Sequence, residues 1–193
     1  MLIERSDSLL LVVDVQTALM PVVERGDQAI TEIGWLAAVA ERLEVPVWVT
    51  EQYPQGLGAT EPRLKCALPQ STRWFTKSHF NACREREIAQ AFEAAAPRQV
   101  VIAGAEAHIC VLQTALGLLE RGVELFWLVE GCVSRRSDEA RLAGERARQA
   151  GAWPVSADMV AYEWLERCDD ASFREVHREL LRPRASRPLR LAP

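Results

Sequence analysis

Apolar residues along this chain fall into two patterns, short unbroken runs and stretches in which they return every third or fourth position. The first run, SLLLVVDV at residues 8–15, is apolar on consecutive positions and ends in an acid, as expected of a central parallel strand covered on both faces. Residues 27–43 follow, with Ile30, Ile33, Leu36, Ala37 and Ala40 at helical spacing. The alternation predicts further strands at residues 46–50, 72–76, 99–104, 123–130 and 153–155. Helices are predicted at 84–96, 109–121, 138–150, 157–166 and 171–181, and there is no internal repeat. Strand and helix in turn, with short connections, predict an α/β fold: a mostly parallel, doubly wound sheet with helices on both faces.

Composition agrees with a folded chain. The 193 residues suffice for one domain, and 49% hydrophobic against 26% charged residues is an ordinary globular balance. The domain is expected over residues 1–182, leaving 183–193 as a basic, proline-containing tail. Arg182, Arg184, Arg187 and Arg190, threaded with Pro183 and Pro188, read as a solvated or subunit-contacting extension rather than a binding arm. The net charge of −4 offers no general attraction to phosphate backbones or anionic lipid. Nucleic acid and membrane are therefore not expected partners, whereas a small-molecule substrate and further copies of the chain are.

No apolar run reaches the roughly 18 residues of a membrane-spanning helix, and the opening MLIER is not a signal-peptide pattern. A cytoplasmic protein is predicted. Cys66, Cys83, Cys110, Cys132 and Cys168 are odd in number and hold no C-x-x-C pair, so mostly reduced thiols are expected rather than a disulfide framework or zinc ribbon.

The connection at residues 51–71, with Pro54, Gly56, Gly58, Pro62 and Pro69, is long for a compact domain and so points to a site. In open parallel sheets ligands bind beyond the carboxyl ends of the strands. The residues at those ends are Asp14 and Gln16, Thr50 to Gln52, Lys77 to His79, Glu106 to Cys110, and Glu130 to Ser134. No G-x-G-x-x-G and no G-x-x-x-x-G-K-[ST] is present, so a dinucleotide or P-loop site is not supported.

Within that set, Cys110 falls where a helix begins, a position that lowers a thiol's pKa. Its competing reading is a packed structural cysteine. Asp14, at the end of the most buried strand, is costly to bury unless paired or working. Lys77 supplies the opposite charge, and the three together form a nucleophile, base and orienting cation. Glu106, His108 and Cys110 read less well as metal ligands, because an i, i+2, i+4 series fans around a helix. His108 instead fits a hydrogen bond from the helix start to a loop, and Glu106 a supporting acid or a contact to backbone N–H groups. Two rivals stay open. Phosphoryl transfer would use Asp14 with Mg²⁺ in DVQT, although Gln16 stands where a second acid is needed. A non-catalytic binding member of the same fold is the other.

The motifs DVQ at Asp14 to Gln16, TKSHF at Thr76 to Phe80, and GAEAHICVLQTALGLLERG at Gly104 to Gly122 resemble the isochorismatase-like cysteine hydrolases. The likeness extends over nearly all of residues 8–182. TEQYPQGLGAT at Thr50 to Thr60 and VEGCVSRRSDEARLAGERARQAGA are most similar to the isochorismatase-domain-containing subgroup. The resemblance implies a six-stranded parallel sheet of order 3-2-1-4-5-6 and a triad of Asp14, Lys77 and Cys110. It also implies a non-proline cis peptide at Ala105–Glu106 that would aim backbone N–H groups of Ala107, Cys110 or their neighbours at an oxyanion. Nicotinamide-hydrolysing members carry an Asp-x-His metal pair after strand two. Glu51-Gln52-Tyr53 stands there instead, so no metal and no cofactor are expected. The retained Cys110 points to acyl chemistry on a small amide, ureido or related C–N substrate, with Gln16, Gln52, Tyr53, His79 and Phe80 expected to line its pocket.

Overall fold

The computed structural model describes residues 1–189, and of the tail arginines Arg190 lies outside them. Six strands form one all-parallel sheet: β1 (Ser8–Val13), β2 (Val47–Gln52), β3 (Arg73–Lys77), β4 (Gln99–Ala105), β5 (Glu124–Val133) and β6 (Trp153–Val155). Their order is β3-β2-β1-β4-β5-β6, so the direction of winding reverses at β1 and β4, in the middle of the sheet. Pairing runs Leu10↔Val47 to Val13↔Thr50 on one side of β1 and Ser8↔Gln99 to Val13↔Gly104 on the other.

The unbroken apolar run of β1 has a direct structural cause, because successive side chains enter opposite cores. Leu10 and Val12 pack with α1 (Gly26–Arg42), and Leu9, Leu11 and Val13 belong to the opposite layer. Between β2 and β3 lie two short helices, α2 (Pro54–Leu57) and α3 (Pro62–Ala67), in the stretch that proline and glycine mark as loop. The second layer is built by α4 (Arg86–Ala95), α5 (Leu112–Leu119) and α6 (Ser137–Gln149), with Phe92, Leu112 and Ala147 buried. The first is completed by α7 (Ala157–Leu165) and α8 (Ala171–Val176), whose Trp164 and Val176 meet Leu36 and Val39 in one core. Each large side chain so buried stabilises the fold by about 1.5–3 kcal/mol, which favours both faces covered over either one bare.

Gly104 marks where β4 bends toward the site. Its φ is +140°, and a Cβ there would lie 2.0 Å from the carbonyl oxygen of Val13. Only glycine lets the end of β4 approach the end of β1 that closely.

Three expectations need correction. Strand five runs on through Val133, which places Cys132 inside β5 rather than beyond a strand end. The predicted helix at 109–121 begins as a π-helical turn, Ala107–Val111, before α5. The tail is not simply solvated. A π-turn, His177–Leu181, leads into α9 (Arg182–Arg184), and Arg184 is buried, ion-paired to Glu32 and to Asp158 at 2.9 Å, with Glu130 at 3.5 Å. Its guanidinium also lies 4.1 Å from the centre of the Trp35 ring. Three elements, α1, β5 and α7, thus converge on one arginine that the sequence pattern assigns to a polar extension.

Candidate active site

Asp14, Lys77 and Cys110 come together from the ends of three strands. Asp14 follows β1 in a left-handed conformation, φ +52°, and its N–H donates to the carbonyl of Thr50 at 3.0 Å. Lys77 closes β3 and points inward, its Nζ 2.6 Å from Asp14 Oδ2. Thr50 Oγ1 donates to the other carboxylate oxygen, Oδ1, at 2.8 Å. The Cys110 thiol, in the π-turn beyond β4, faces Asp14 and Lys77 closely enough for both charges to act on it. Solvent reaches neither Asp14 nor Lys77, and Cys110 is 6% exposed.

Burial and charge act strongly here. Burial pushes the Asp14 carboxyl above its ordinary range, opposed by the Lys77 ammonium and by the hydrogen bond from Thr50. Burial and then the Asp14 charge push the Cys110 thiol up to about 12, with Lys77 pulling the other way. This reverses the expectation of a thiol lowered by a helix start. Desolvation of a thiolate in an apolar layer outweighs the turn's N–H groups. Burial thus favours the protonated thiol, and the nearby Lys77 ammonium is the group that opposes it.

The peptide Ala105–Glu106 is cis. Beyond it the carbonyl of Glu106 accepts from the N–H groups of Ile109 at 3.0 Å and Val111 at 3.3 Å. The Glu106 carboxylate is buried and reaches the loop after β5, accepting from the Arg135 backbone N–H at 3.0 Å and Nε at 2.8 Å, and from its Nη2. The Arg135 guanidinium holds the Glu106 carboxyl below its usual range. His108 Nδ1 lies 2.9 Å from Ser134 Oγ, the tie from helix start to loop expected for that histidine. Two neighbouring pairs thus fasten the turn that carries Cys110 to the end of β5.

The residues expected to line the pocket separate into two groups. Gln16 and Gln52 are buried and turn their amide groups inward. Tyr53, His79 and Phe80 are exposed, and His79 Nδ1 lies 2.9 Å from Glu85 Oε1. Glu85 also accepts from the backbone N–H groups of Ser78 at 2.7 Å and His79 at 2.9 Å, which draws its pKa down to about 2. Thr50, Ser134, Arg135 and Glu85 are the contributors that sequence reasoning left without these roles. Thr50 and Ser134 do stand among the strand-end residues, but nothing in the sequence selects Arg135 from the pair Arg135-Arg136. Among the described residues no group of three or more His, Cys, Asp or Glu side chains is arranged to hold a metal ion.

Fold and site together define a doubly wound α/β protein whose acid, amine and thiol meet where the strand order reverses. The Isochorismatase domain model matches residues 8–159, and the chain belongs to that family. It is 29% identical over 178 residues to isochorismatase domain-containing protein 2A of Mus musculus, covering 91% of this chain and 84% of the relative. Among solved structures, MAR1 ribonuclease from Caenorhabditis elegans superposes with TM-score 0.89 at 31% identity over 100% of both chains. YcaC of Escherichia coli, described as an octameric hydrolase of unknown specificity, superposes with TM-score 0.82 at 22% identity over 94% of this chain and 92% of its own.

Proposed function

We propose that the protein is a cysteine hydrolase that cleaves a carbon–nitrogen bond in a small amide, ureide or related substrate. The observation that carries this reading is the meeting of three strand ends, with Lys77 Nζ 2.6 Å from Asp14 Oδ2 and the Cys110 thiol close enough to both for their charges to act on it. Asp14 takes the thiol proton as Cys110 Sγ attacks the substrate carbonyl carbon, and the electron pair of the C=O moves to oxygen. Backbone N–H groups of the 106–110 turn hold that oxyanion. Collapse restores the C=O and breaks the C–N bond, with the proton on Asp14 passing to the departing nitrogen. Water, deprotonated by Asp14, then attacks the thioester, and the proton returns to Cys110 as the acid product leaves. Lys77 keeps its charge throughout and compensates whichever of Asp14 and Cys110 is negative. Tyr53, His79 and Phe80, all exposed, are the groups this reading assigns to substrate contact.

A thiol 6% exposed and a net charge of −4 favour a small neutral carbonyl compound over a polyanion. RNA nevertheless belongs in the screen, given the ribonuclease described for the Caenorhabditis elegans neighbour. Self-association in the cytoplasm is part of the same reading. It is supported by the octamer described for YcaC and by exposed Leu142, Trp153, Met159 and Tyr162. No described helix is long and apolar enough to cross a membrane. The test is a screen of amides, ureides and RNA against the wild type and Cys110→Ala. Carbonyl substrates turned over only by the wild type support the reading, and turnover unchanged in Cys110→Ala refutes it.

A further inference from the structure

Two glutamines complete the surroundings of Lys77. Gln16 is fully buried and behaves as a substitute strand, its Oε1 accepting the backbone N–H of Gln52 at 2.8 Å. Its Nε2 donates to the carbonyls of Gln52 at 3.1 Å and Gly58 at 2.6 Å. The Gln16 side chain thus continues the β1–β2 ladder just past Val13↔Thr50, where the backbone of β1 turns away at Asp14. Gln52, so anchored, directs its own Nε2 to the carbonyl of Ser78 at 2.8 Å and its Oε1 to Lys77 Nζ at 2.6 Å. The amide has one sensible orientation, because a flip would set an NH₂ against the ammonium and oxygen against the Ser78 carbonyl.

The ammonium has three N–H groups. Asp14 and Gln52 each lie at 2.6 Å, and the carbonyls of His79 and Phe80 lie at 3.3 and 3.5 Å. Of these partners only Asp14 carries charge. The other ionisable groups near the site are already paired, Glu106 with Arg135 and Glu85 with His79 and the 78–79 backbone, while Glu51 faces Thr60.

We propose that Gln52, held by Gln16, is a positioning residue that fixes Lys77 against Asp14 through a neutral acceptor and so leaves the whole ammonium charge to the Asp14–Cys110 pair. This reassigns both glutamines from the pocket lining expected of them, and it rests on the hydrolase reading. An acid at position 52 has the same shape and divides the ammonium between two carboxylates. The thiolate is then less stabilised.

The test follows alkylation of Cys110 in the full-length protein by iodoacetamide, resolved by peptide mass spectrometry at several pH values, with thermal melts to verify folding. Gln52→Glu is isosteric and keeps an acceptor for Lys77 Nζ, but it loses the bond to the Ser78 carbonyl, which Gln52→Met loses as well and so controls for. It is expected to slow alkylation about tenfold at each pH, the equivalent of about one pKa unit. Gln52→Met removes the acceptor without adding charge and is expected to slow it by less. On a substrate found in the screen, kcat falls with KM little changed. A folded Gln52→Glu or Gln52→Met variant that alkylates at the wild-type rate would overturn the proposal. So would unfolding of both variants, which would make Gln52 part of the framework alone. Because alkylation needs no substrate, the Gln52 effect can persist when the amide screen fails, and can fail when that screen succeeds.

Discussion

Lys77 Nζ and Asp14 Oδ2 stand 2.6 Å apart at the centre of the sheet's carboxyl edge, and solvent reaches neither side chain. An ion pair so buried is a poor source of stability, since desolvating two charges offsets most of their attraction. Its value lies in the third group. With Cys110 beside both charges, transfer of the thiol proton to Asp14 would leave a thiolate facing an ammonium.

Asp14→Asn separates base from counter-charge. Turnover is expected to fall by roughly 100-fold to 10,000-fold, the usual worth of a positioned acid or base. The thiol responds in the opposite sense. After burial, the Asp14 charge is the cause that most raises the Cys110 pKa, so removing it while keeping Lys77 lowers that pKa. Alkylation of Cys110 should therefore quicken while turnover collapses. The sequence alone suggests the reverse sign, because it shows a proton acceptor beside a thiol but not the depth at which both are buried.

Glu85 gives the Ser78–His79 segment an acid-sensitive anchor. Its pKa is drawn down to about 2 from 4.5, first by the His79 and Ser78 N–H groups. A depressed carboxyl stabilises the fold fully above its unfolded pKa and loses that contribution as pH falls through the folded value. Protection of the Ser78 and His79 amides, measured against their intrinsic exchange rates, should therefore fall between pH 4.5 and about 2. In Glu85→Gln exchange should be faster already at neutral pH and lack that acid step.

Arg184 is the counter-charge for buried Glu32 and Glu130. Arg184→Ala leaves buried Glu32 without its cation, an expected cost of about 3–5 kcal/mol. For a chain of this size that lowers Tm by roughly 6–20 °C. A melt within a degree of wild type would show that the tail docks without supporting the core.

Much of this was legible in the sequence because the relevant signals are local. The run of residues 8–13 could be buried only on both faces, and an acid directly after it had to be partnered. The cysteine beyond β4 and the lysine closing β3 followed from the rule on strand ends. Illegible were the pairings made at a distance. Arg184 reaches Glu32 across 152 positions, and Arg135 reaches Glu106 across 29. Gln52 looked like a loop residue because the proline and glycine signals begin directly after it, whereas pairing with β3 carries β2 through that position. The direction of the thiol's shift depends on burial in the same way. Helix starts can be read from sequence, but burial is set by the whole fold.

Dialysis against a chelator should leave hydrolysis intact, because Glu51-Gln52-Tyr53 replaces the Asp-x-His pair and Gln52 is committed to Lys77. Activity that disappears with the chelator and returns with one equivalent of zinc or iron would require a different chemistry.

The most direct measurement is intact-protein and peptide mass spectrometry on enzyme quenched during turnover of a substrate from the amide and ureide screen. The triad assignment predicts the mass of an acyl group on Cys110, absent in Cys110→Ala and unaffected in Cys66→Ala, Cys83→Ala and Cys168→Ala. Turnover at the wild-type rate by Cys110→Ala, or an acyl group found on any other residue, would contradict it.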